Sequence, residues 1–370
     1  MRKTLSAMAA LATAMLAGTA ALAAAPANAP LRIIPVDVEG GAAVLYVTPR
    51  GHSLLIDTGW PAGLGGPRPA PGATPEPSPS SAERIVAAAK AAGLDHIDYL
   101  LISHYHVDHI GGVHDLMALF PIGMFIDHGP NREEPPANAN ERQLAMATAT
   151  LYPKYMAAIQ GKPHRVMRAG ETLRIDDLVI TAINSDGKIV AKPLPGAGKP
   201  GWNCAAQTSD ARLGGEENPR SLGILATWGK ARILSLADTT WNAENSLVCP
   251  IDRIGPVDLM FADNHGTDNS NSPNLLNTVK PSVIVFGNGP TKGADALSLE
   301  RAMASPRIKG MWQVHFATRS PDKNAPADQI ANLADGPDAR HPLQIMVDKS
   351  GAITLVNPRN GFSRTYPKAP

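Results

Sequence analysis

Cysteine is scarce in this chain, which has two cysteines among 370 residues, and this excludes a small scaffold held together by several disulfides. An excess of charge of one sign is also missing, because 34 basic and 33 acidic side chains leave a net charge of +1. Tight binding to nucleic acid usually needs a basic field, so the charge does not support that function. Beyond the N-terminal region no run of about eighteen apolar residues occurs, and no membrane-spanning helix is predicted there.

The N-terminal region has the pattern of a secretory signal peptide. Arg2 and Lys3 precede a run of Ala, Leu and Met from Leu5 to Leu22, and small residues suited to cleavage follow. We expect a signal peptide over residues 1–25 and a mature chain that is periplasmic or secreted. Loss of the two basic residues would change the net charge from +1 to −1. An uncleaved membrane anchor is the alternative, although alanine-rich helices insert weakly into membranes.

Length and composition predict one large domain with long loops. Apolar residues make up 44% of the chain, which is enough to bury a sizeable core, so residues 30–360 are expected to fold as a single domain. Glycine and proline are abundant, with 33 and 34 residues, so the connections should be long. The segment 61–80 is rich in proline and is predicted to be an irregular insertion.

A cluster of histidines and one aspartate follows an apolar segment near residue 100. The cluster reads His104-Tyr-His106-Val-Asp108-His109. His104 and His106, two positions apart, can turn toward one metal ion, while Asp108 and His109 can reach a second. Imidazole and carboxylate groups together are the ligands expected of zinc, with manganese or iron as alternatives. The competing interpretation is a solvated polar loop.

The neighbouring sequence favours the metal site over the solvated loop. Residues 97–103 are apolar and predict a buried strand, and residues 110–120 predict a helix packed behind it. The histidines therefore lie at a strand-to-helix turn, where α/β proteins gather their functional residues. Gly111 and Gly112 allow the backbone to come close to whatever this turn binds.

These motifs together resemble the metallo-β-lactamase superfamily, whose hallmark is His-x-His-x-Asp-His after a strand. Three further segments agree with that family in order: Leu54–Gly59 with its Asp-x-Gly, Ile233–Asp238 with a strand ending in aspartate, and Asp263–Thr267 with a His-Gly turn. Asn218–Ser221 is similar to the Asn-x-x-Ser strand of the ComEC-like variety, found in DNA-uptake proteins and secreted relatives. The resemblance implies a four-layer αββα sandwich, that is, two mixed sheets with helices on the outer faces. The strand and helix pattern also predicts this α/β (α+β) architecture.

The resemblance assigns a role to each ligand residue. His104 and His106 are expected to hold a first metal, Asp108, His109 and His265 a second, and Asp238 to bridge the two. Water held by such ions loses a proton near neutral pH and attacks an electrophilic centre. Asp108 is accordingly expected to be essential for catalysis.

The first metal lacks its usual third histidine. No histidine occurs between His164 and His265, and the oxygens of Asn218 or Asp210 are the available substitutes. The number of bound ions, one or two, stays open. Asn264 stands where the family variety has a histidine, and we expect it to contact substrate or to orient a ligand.

Other polar residues and the two cysteines are weaker candidates. Asp57 is expected to hydrogen-bond a metal-bound imidazole. His128 either enters the cleft or is a solvated loop residue, and His315 is a candidate substrate contact or proton donor. Cys204 and Cys249 form an even pair that can bridge in an oxidising compartment, although the sequence leaves this pairing open.

Three functions remain in competition. The first is an exported metal-dependent hydrolase of phosphodiester or related phosphoester bonds, as the ComEC-like resemblance implies. The second is a hydrolase of lactam, lactone or thioester bonds, and the third is a binding protein with a depleted metal site. The expected partner is a small-molecule or phosphoester substrate, and nucleic acid would need a local basic patch such as Arg132, Lys154, Arg165 and Arg168.

Overall fold

The computed structural model describes residues 29–65, 78–206, 217–333 and 340–368. The predicted signal peptide at 1–25, most of the proline-rich insertion at 61–80, and Asp210 lie outside these described residues. Within the described ranges, no helix has both the length and the apolar character needed to cross a membrane.

Strands outnumber helices among the described residues. The strands are β1 (Leu31–Pro35), β2 (Val44–Val47), β3 (Ser53–Ile56), β4 (Ile97–Leu101), β5 (Ile122–Asp127), β6 (His164–Val166), β7 (Thr172–Ile175), β8 (Leu178–Ser185), β9 (Lys188–Ile189), β10 (Gly223–Trp228), β11 (Ala231–Ser235), β12 (Leu259–Phe261), β13 (Val283–Phe286), β14 (Gly310–His315), β15 (Ile330–Asn332), β16 (Gln344–Val347), β17 (Ile353–Asn357) and β18 (Phe362–Tyr366). The α-helices are α1 (Ser81–Ala91), α2 (Val107–Ile110), α3 (Val113–Leu119), α4 (Glu141–Met146), α5 (Thr148–Ala158), α6 (Trp241–Val248), α7 (Pro273–Val279) and α8 (Ala296–Ala304).

The strands form two sheets, and both are mixed. The first sheet has the order β18-β17-β16-β1-β2-β3-β4-β5-β6, with parallel pairing from β3 through β6. The second has the order β15-β14-β13-β12-β11-β10-β8-β7, with β9 paired to β8 and parallel pairing from β11 through β15. Parallel neighbours end at the same edge of a sheet, so each sheet gathers several strand ends there.

The two sheets pack face to face and helices cover both outer faces. Along β3, Leu54 and Ile56 point into the core between the sheets, while Leu55 between them points into the cluster beneath the helices. Successive side chains on a strand face opposite sides, so a strand covered on both faces is continuously apolar. The helices α1, α3 and α5 cover the first sheet, and α6, α7 and α8 cover the second. This confirms the predicted four-layer αββα sandwich.

Two helix boundaries differ from the sequence prediction, which is a helix over residues 82–92 capped by Ser81 and a helix from Asn140 to about Gln160 interrupted near Pro153. The cap of α1 is Ser80 rather than Ser81: the Ser80 hydroxyl accepts from the Glu83 amide at 3.2 Å, and the Glu83 carboxylate accepts from the Ser80 amide at 2.7 Å. The predicted helix from Asn140 to Gln160 is interrupted at Ala147, whose backbone is extended, and not at Pro153, which lies inside α5. Local hydrogen bonding at the cap decides the first of these boundaries.

Strand β14, which carries His315, is not predicted by the sequence. All six residues of β14 are buried, including Gln313 and His315. The side-chain amide of Gln313 donates to Asn324 Oδ1 at 2.8 Å, and His315 Nε2 lies 2.7 Å from Asp37 Oδ1. Such partners offset the cost of burying polar groups, and they allow a strand whose sequence lacks an apolar run.

The two cysteines form a disulfide. Cys204 and Cys249 are bonded, with their Cα atoms 5.6 Å apart. The bond joins the loop after Gly201 to the end of α6, and it settles the pairing that the sequence left open.

Candidate metal centre

The predicted ligands meet where the strand ends of the two sheets come together. His104 follows β4 of the first sheet, and Asp108 and His109 lie on the short helix α2. Asp238 follows β11 and His265 follows β12, which are parallel neighbours in the second sheet. Ligands that are far apart in the chain are therefore brought to one edge of the sandwich by the topology.

A first group consists of four buried side chains, which we call the four-ligand group: Asp108, His109, Asp238 and His265. One ligand atom from each lies within 4.8 Å of the others. The Nε2 atoms of His109 and His265 are 3.2 Å apart, and Asp238 Oδ1 lies 3.3 Å and 3.5 Å from them. Asp108 Oδ2 lies 3.1 Å from His265 Nε2. Two imidazoles and two carboxylates supply the number and the kind of ligands that a zinc ion takes in proteins.

A second group lies beside the first and shares Asp238 with it. His104 Nε2 and His106 Nδ1 are 3.1 Å apart, and Asp238 Oδ2 lies 3.8 Å from His104 Nε2. Asp238 thus presents one oxygen to each group. We call His104, His106 and Asp238 the three-ligand group.

In each histidine of the two groups, one ring nitrogen faces the other ligands and the second ring nitrogen contacts a protein group outside the ligand set. His104 Nδ1 lies 3.0 Å from Ser103 Oγ, and His109 Nδ1 lies 2.8 Å from Asp57 Oδ2. His265 Nδ1 lies 3.2 Å from the carbonyl oxygen of Gly287, and His106 Nε2 lies 3.2 Å from Glu133 Oε2. Outer partners of this kind fix the tautomer and aim the free nitrogen at a metal. The donor set therefore fits divalent metal ions.

Asp57 is placed where the sequence analysis expected it, behind a ligand imidazole. Besides contacting His109, its carboxylate accepts from the Ser103 amide and the Ser103 hydroxyl, both at 2.7 Å. Its backbone is left-handed, with φ of 63°, a conformation that aspartate tolerates better than most residues. The turn after β3 is thereby shaped to hold the histidine turn after β4.

The surroundings of the two groups favour the metal-binding forms of His104, Asp108 and Asp238, whereas the neighbouring carboxylates raise the pKa of His109 against the effect of its burial. Burial, together with the neighbouring His109, lowers the pKa of His104 well below its usual value, so this imidazole is neutral. Burial alone would raise the pKa of Asp238, but His109 and His265 lower it well below its ordinary range. Burial opposes ionisation of Asp108 in the same way, and Lys292 and His109 lower its pKa. Both carboxylates are therefore ionised ligands.

Two glutamates that no sequence motif singles out, Glu133 and Glu217, contact the turn that carries His104 and His106. Glu217 is fully buried, and its Oε1 accepts from the Tyr105 amide at 3.2 Å. The Glu217 amide donates to Glu133 Oε2 at 3.1 Å. Asn218 follows, and its Oδ1 is buried without a hydrogen-bond partner among the described residues. Neither glutamate belongs to a motif, so only the fold reveals that they meet the histidine turn.

His128 and His315 lie outside both ligand groups. His128 is buried against Glu217, with its Nε2 2.8 Å from Glu217 Oε1, so it is not a solvated loop residue. His315 is fully buried, and with Asp37 and Glu39 it forms a separate cluster. The guanidinium of Arg84 contacts both carboxylates of that cluster, at 3.2 Å and 2.9 Å. An ion-pair network therefore encloses His315, and its expected role as a substrate contact or proton donor stays a prediction.

Two further side chains lie at the edge of the four-ligand group. The ammonium of Lys292 contacts Asp108 Oδ2 and lies 5.0 Å from the centre of the Trp60 ring. Lys292 was missed because a single lysine in a glycine-rich loop carries no pattern. Asn264 has left-handed backbone and donates from its side chain to Asn269 Oδ1 at 3.1 Å, which holds the loop that carries His265.

Comparison with known proteins agrees with the fold and the ligand turn. The family model described as the metallo-β-lactamase superfamily matches residues 36–196, which include the histidine turn. The hydroxyacylglutathione hydrolase of Alkalilimnicola ehrlichii is 41% identical over 58 residues, which are 16% of this chain and 21% of that protein. The match thus spans about a fifth of that curated relative.

Several solved structures are similar at low sequence identity. A diiron β-hydroxylase, CmlA from Streptomyces venezuelae, is 17% identical, with 70% of this chain and 45% of that chain covered and a TM-score of 0.36. A diphosphatase from the PhnP family is 14% identical, with coverage of 70% and 85% and a TM-score of 0.35. A metal-dependent hydrolase of the β-lactamase superfamily is 12% identical, with coverage of 76% and 95% and a TM-score of 0.41.

Proposed function

We propose that this chain, whose residues 36–196 match the metallo-β-lactamase superfamily, is an exported metal-dependent hydrolase of phosphodiester or related phosphoester bonds. One observation carries the proposal. Asp238 presents Oδ1 to His109 and His265 and Oδ2 to His104, so a single carboxylate joins two groups of metal-ligating side chains. Paired metal positions are a common arrangement for hydrolysis of phosphate esters.

The residues that would hold the ions are those of the two ligand groups. The four-ligand group is complete in protein ligands, whereas the three-ligand group leaves a position for water or substrate. Divalent ions bound there supply an activated water nucleophile and neutralise negative charge on the substrate. Zinc fits the ligand chemistry, and manganese and iron remain alternatives.

The protein groups around the ions have distinct tasks. Asp57, Ser103, Glu133 and the Gly287 carbonyl hold the ligand histidines in position. The Lys292 side chain is about one-third exposed beside Asp108, so its ammonium can attract an anionic group. The indole N–H of Trp60 is buried without a partner among the described residues, and it is a second donor near the same edge. These donors support a phosphoester over a neutral substrate.

The ComEC-like variety is part of the proposal. Its support is the order of the motifs Asn218–Ser221, Ile233–Asp238 and Asp263–Thr267 in the chain. Three of the four basic residues considered for nucleic acid are paired with acids: Arg132 with Asp186 at 3.1 Å, and Arg165 and Arg168 with Glu171 at 3.0 Å and 3.8 Å. A small phosphoester is therefore favoured over a long nucleic acid.

Export is proposed from two observations. Residues 1–25 have the signal-peptide pattern, and Cys204 and Cys249 are joined by a disulfide. Structural disulfides persist in oxidising compartments such as the bacterial periplasm and the extracellular space. A periplasmic or secreted location follows.

Hydrolysis of a thioester or lactone is the second candidate. It is favoured by the similarity to the hydroxyacylglutathione hydrolase, although that similarity is confined to 58 residues. The same metal centre would serve a carbonyl substrate, since the metals and the nucleophile are shared by both reactions. The substrate class must therefore be decided by assay.

The test is a substrate panel with purified protein loaded with zinc or manganese. The panel contains bis-p-nitrophenyl phosphate, a phosphomonoester, a β-lactam, a lactone and a thioester. We expect turnover of the phosphodiester, loss of at least about a hundredfold in kcat for Asp108→Ala, and full activity for Asp322→Ala, which changes an exposed aspartate. Turnover of the thioester or lactone alone would favour the second candidate, and absence of bound metal and of all turnover would refute both.

A further inference from the structure

A second cleft, of about 220 Å³, lies on the second sheet's side of the molecule and is separate from the ligand groups. Its polar and aromatic lining consists of Trp202, Asn203, Trp241, Asn245, Ser272 and Asn274. We propose that this cleft binds a neutral sugar ring. The proposal does not depend on the hydrolase function.

The loop that carries Trp202 is fixed in place by contacts with α7. The Trp202 amide donates to Thr278 Oγ1 at 2.9 Å, and the side-chain amide of Asn274 donates to the Trp202 carbonyl at 3.0 Å. Two residues further on, Cys204 is bonded to Cys249. The Trp202 side chain is nonetheless 44% exposed, an unusual state for a large aromatic residue on an anchored loop. The loop therefore presents the indole in a defined place, which lowers the entropic cost of binding.

Trp241, on the other part of the cleft wall, is held even more firmly. Its amide donates to the Asn269 carbonyl at 3.1 Å, and its indole N–H donates to the Ser270 carbonyl at 3.0 Å. The guanidinium of Arg301 lies 5.0 Å from the centre of its ring. Since the indole N–H is already used, the ring offers an apolar surface to a ligand.

Asn245 points to the kind of ligand. It is only 2% exposed and lines the cleft, yet its Oδ1 is buried and has no hydrogen-bond partner within the described part of the chain. An unsatisfied buried acceptor costs about 1–3 kcal/mol, so a donor from a ligand is the expected complement. A ligand hydroxyl supplies such a donor.

The described lining residues favour an uncharged ligand. The residues of the wall are indoles, carboxamides, a hydroxyl and Pro273, and none of these described side chains is ionisable. Amides both donate and accept hydrogen bonds, while indole rings pack against apolar surface. A sugar ring has both properties, because its hydroxyls can bond the amides while its C–H face lies on an indole. A neutral sugar therefore fits better than an anion, for which the described lining residues supply no basic group.

Nuclear magnetic resonance of the indole N–H groups tests the proposal on the intact protein. The chain has five tryptophans, so a ¹⁵N-labelled sample gives five resolvable indole signals. Titration with N-acetylglucosamine, its dimer and methyl glucoside should shift the signals of Trp202 and Trp241, which Trp202→Phe and Trp241→Phe assign. The buried Trp228 and Trp312 should not move. Trp60, beside the metal centre, should not move either.

A variant measures the energetic contribution of the exposed indole. Trp202→Ala should weaken sugar binding about fivefold to tenfold by calorimetry, whereas Leu297→Ala, which trims another exposed apolar side chain, should leave it unchanged. The proposal is overturned if no neutral sugar shifts the two signals, if only Trp60 responds, or if folded Trp202→Ala binds sugar as the wild type does. It is also overturned if only charged sugars or aromatic peptides bind. Should Trp202→Ala not fold, the wild-type titration decides.

Discussion

The Oδ2 atom of Asp57 lies 2.8 Å from Nδ1 of His109, on the side of the ring opposite the four-ligand group. The same carboxylate accepts from the amide and the hydroxyl of Ser103. One residue after β3 therefore orients both the turn and the imidazole that faces the metal position. This contact joins the Asp-x-Gly turn after β3 to the histidine turn after β4, although the two turns are far apart in the chain.

Replacement of Asp57 should weaken metal binding without unfolding the protein. Asp57→Asn removes the charge that supports the His109 imidazole, so the affinity for zinc should fall about tenfold to a hundredfold. Competition with a chromophoric chelator measures this affinity. Asp322→Asn, at an exposed position, is the matched control and should bind zinc as the wild type does. An unchanged affinity in folded Asp57→Asn would show that the contact does not tune the site.

Lys292 should act on substrate binding rather than on metal content. Lys292→Met removes the ammonium beside Asp108, so KM for an anionic phosphodiester should rise about tenfold to a hundredfold while the zinc content stays the same. Steady-state kinetics and elemental analysis provide the two readings. Lys162→Met, at an exposed lysine, serves as the control. An unaltered KM would show that Lys292 does not contribute to substrate binding.

The Asp37 cluster should contribute to stability in a pH-dependent way. Burial alone would raise the pKa of Asp37, but the hydrogen bond from His315 and the charges of His315 and Arg84 lower it below its usual value near 3.8. Asp37→Asn should therefore cost about 3–5 kcal/mol of unfolding free energy at pH 7, because it leaves Arg84 without one of its partners.

The sign of the pH effect follows from the lowered pKa. The stabilisation from Asp37 is complete above the unfolded-state pKa and is lost as the pH falls through the lower folded-state pKa. Urea unfolding between pH 5 and pH 3 should thus bring wild type and Asp37→Asn closer together in acid. A difference that stays constant down to pH 3 would contradict this assignment.

The disulfide should stabilise the fold and the cleft beside it. Its two cysteines are 45 residues apart, and closing a loop of that length restricts the unfolded chain. The double variant Cys204→Ser, Cys249→Ser should lose about 2–4 kcal/mol of unfolding free energy. Reduction of the wild type should reproduce this loss, whereas dithiothreitol should not affect the double variant. Equal stability of the two proteins would mean that the bond constrains nothing.

The ligand groups could be predicted from the sequence because most of their members lie on one short turn or directly after apolar strands. His104 to His109 share one turn, and Asp238 and His265 lie three and four residues after strands of clear apolar character. Glu217 and Lys292 could not be found in this way, since they reach the centre from loops that carry no periodic pattern. Strand β14 was missed because buried polar residues interrupt its apolar pattern, and because Asp37, the partner of His315, is distant in sequence.

The central claim is that Asp238 joins two metal positions, and anomalous diffraction from crystals of the zinc-loaded protein tests it most directly. The account predicts two anomalous peaks at the zinc edge. One lies about 2 Å from ligand atoms of Asp108, His109, Asp238 and His265, and the other lies beside His104 and His106 with the second oxygen of Asp238. A single peak, no peak at all, or peaks that Asp238 does not contact would contradict it.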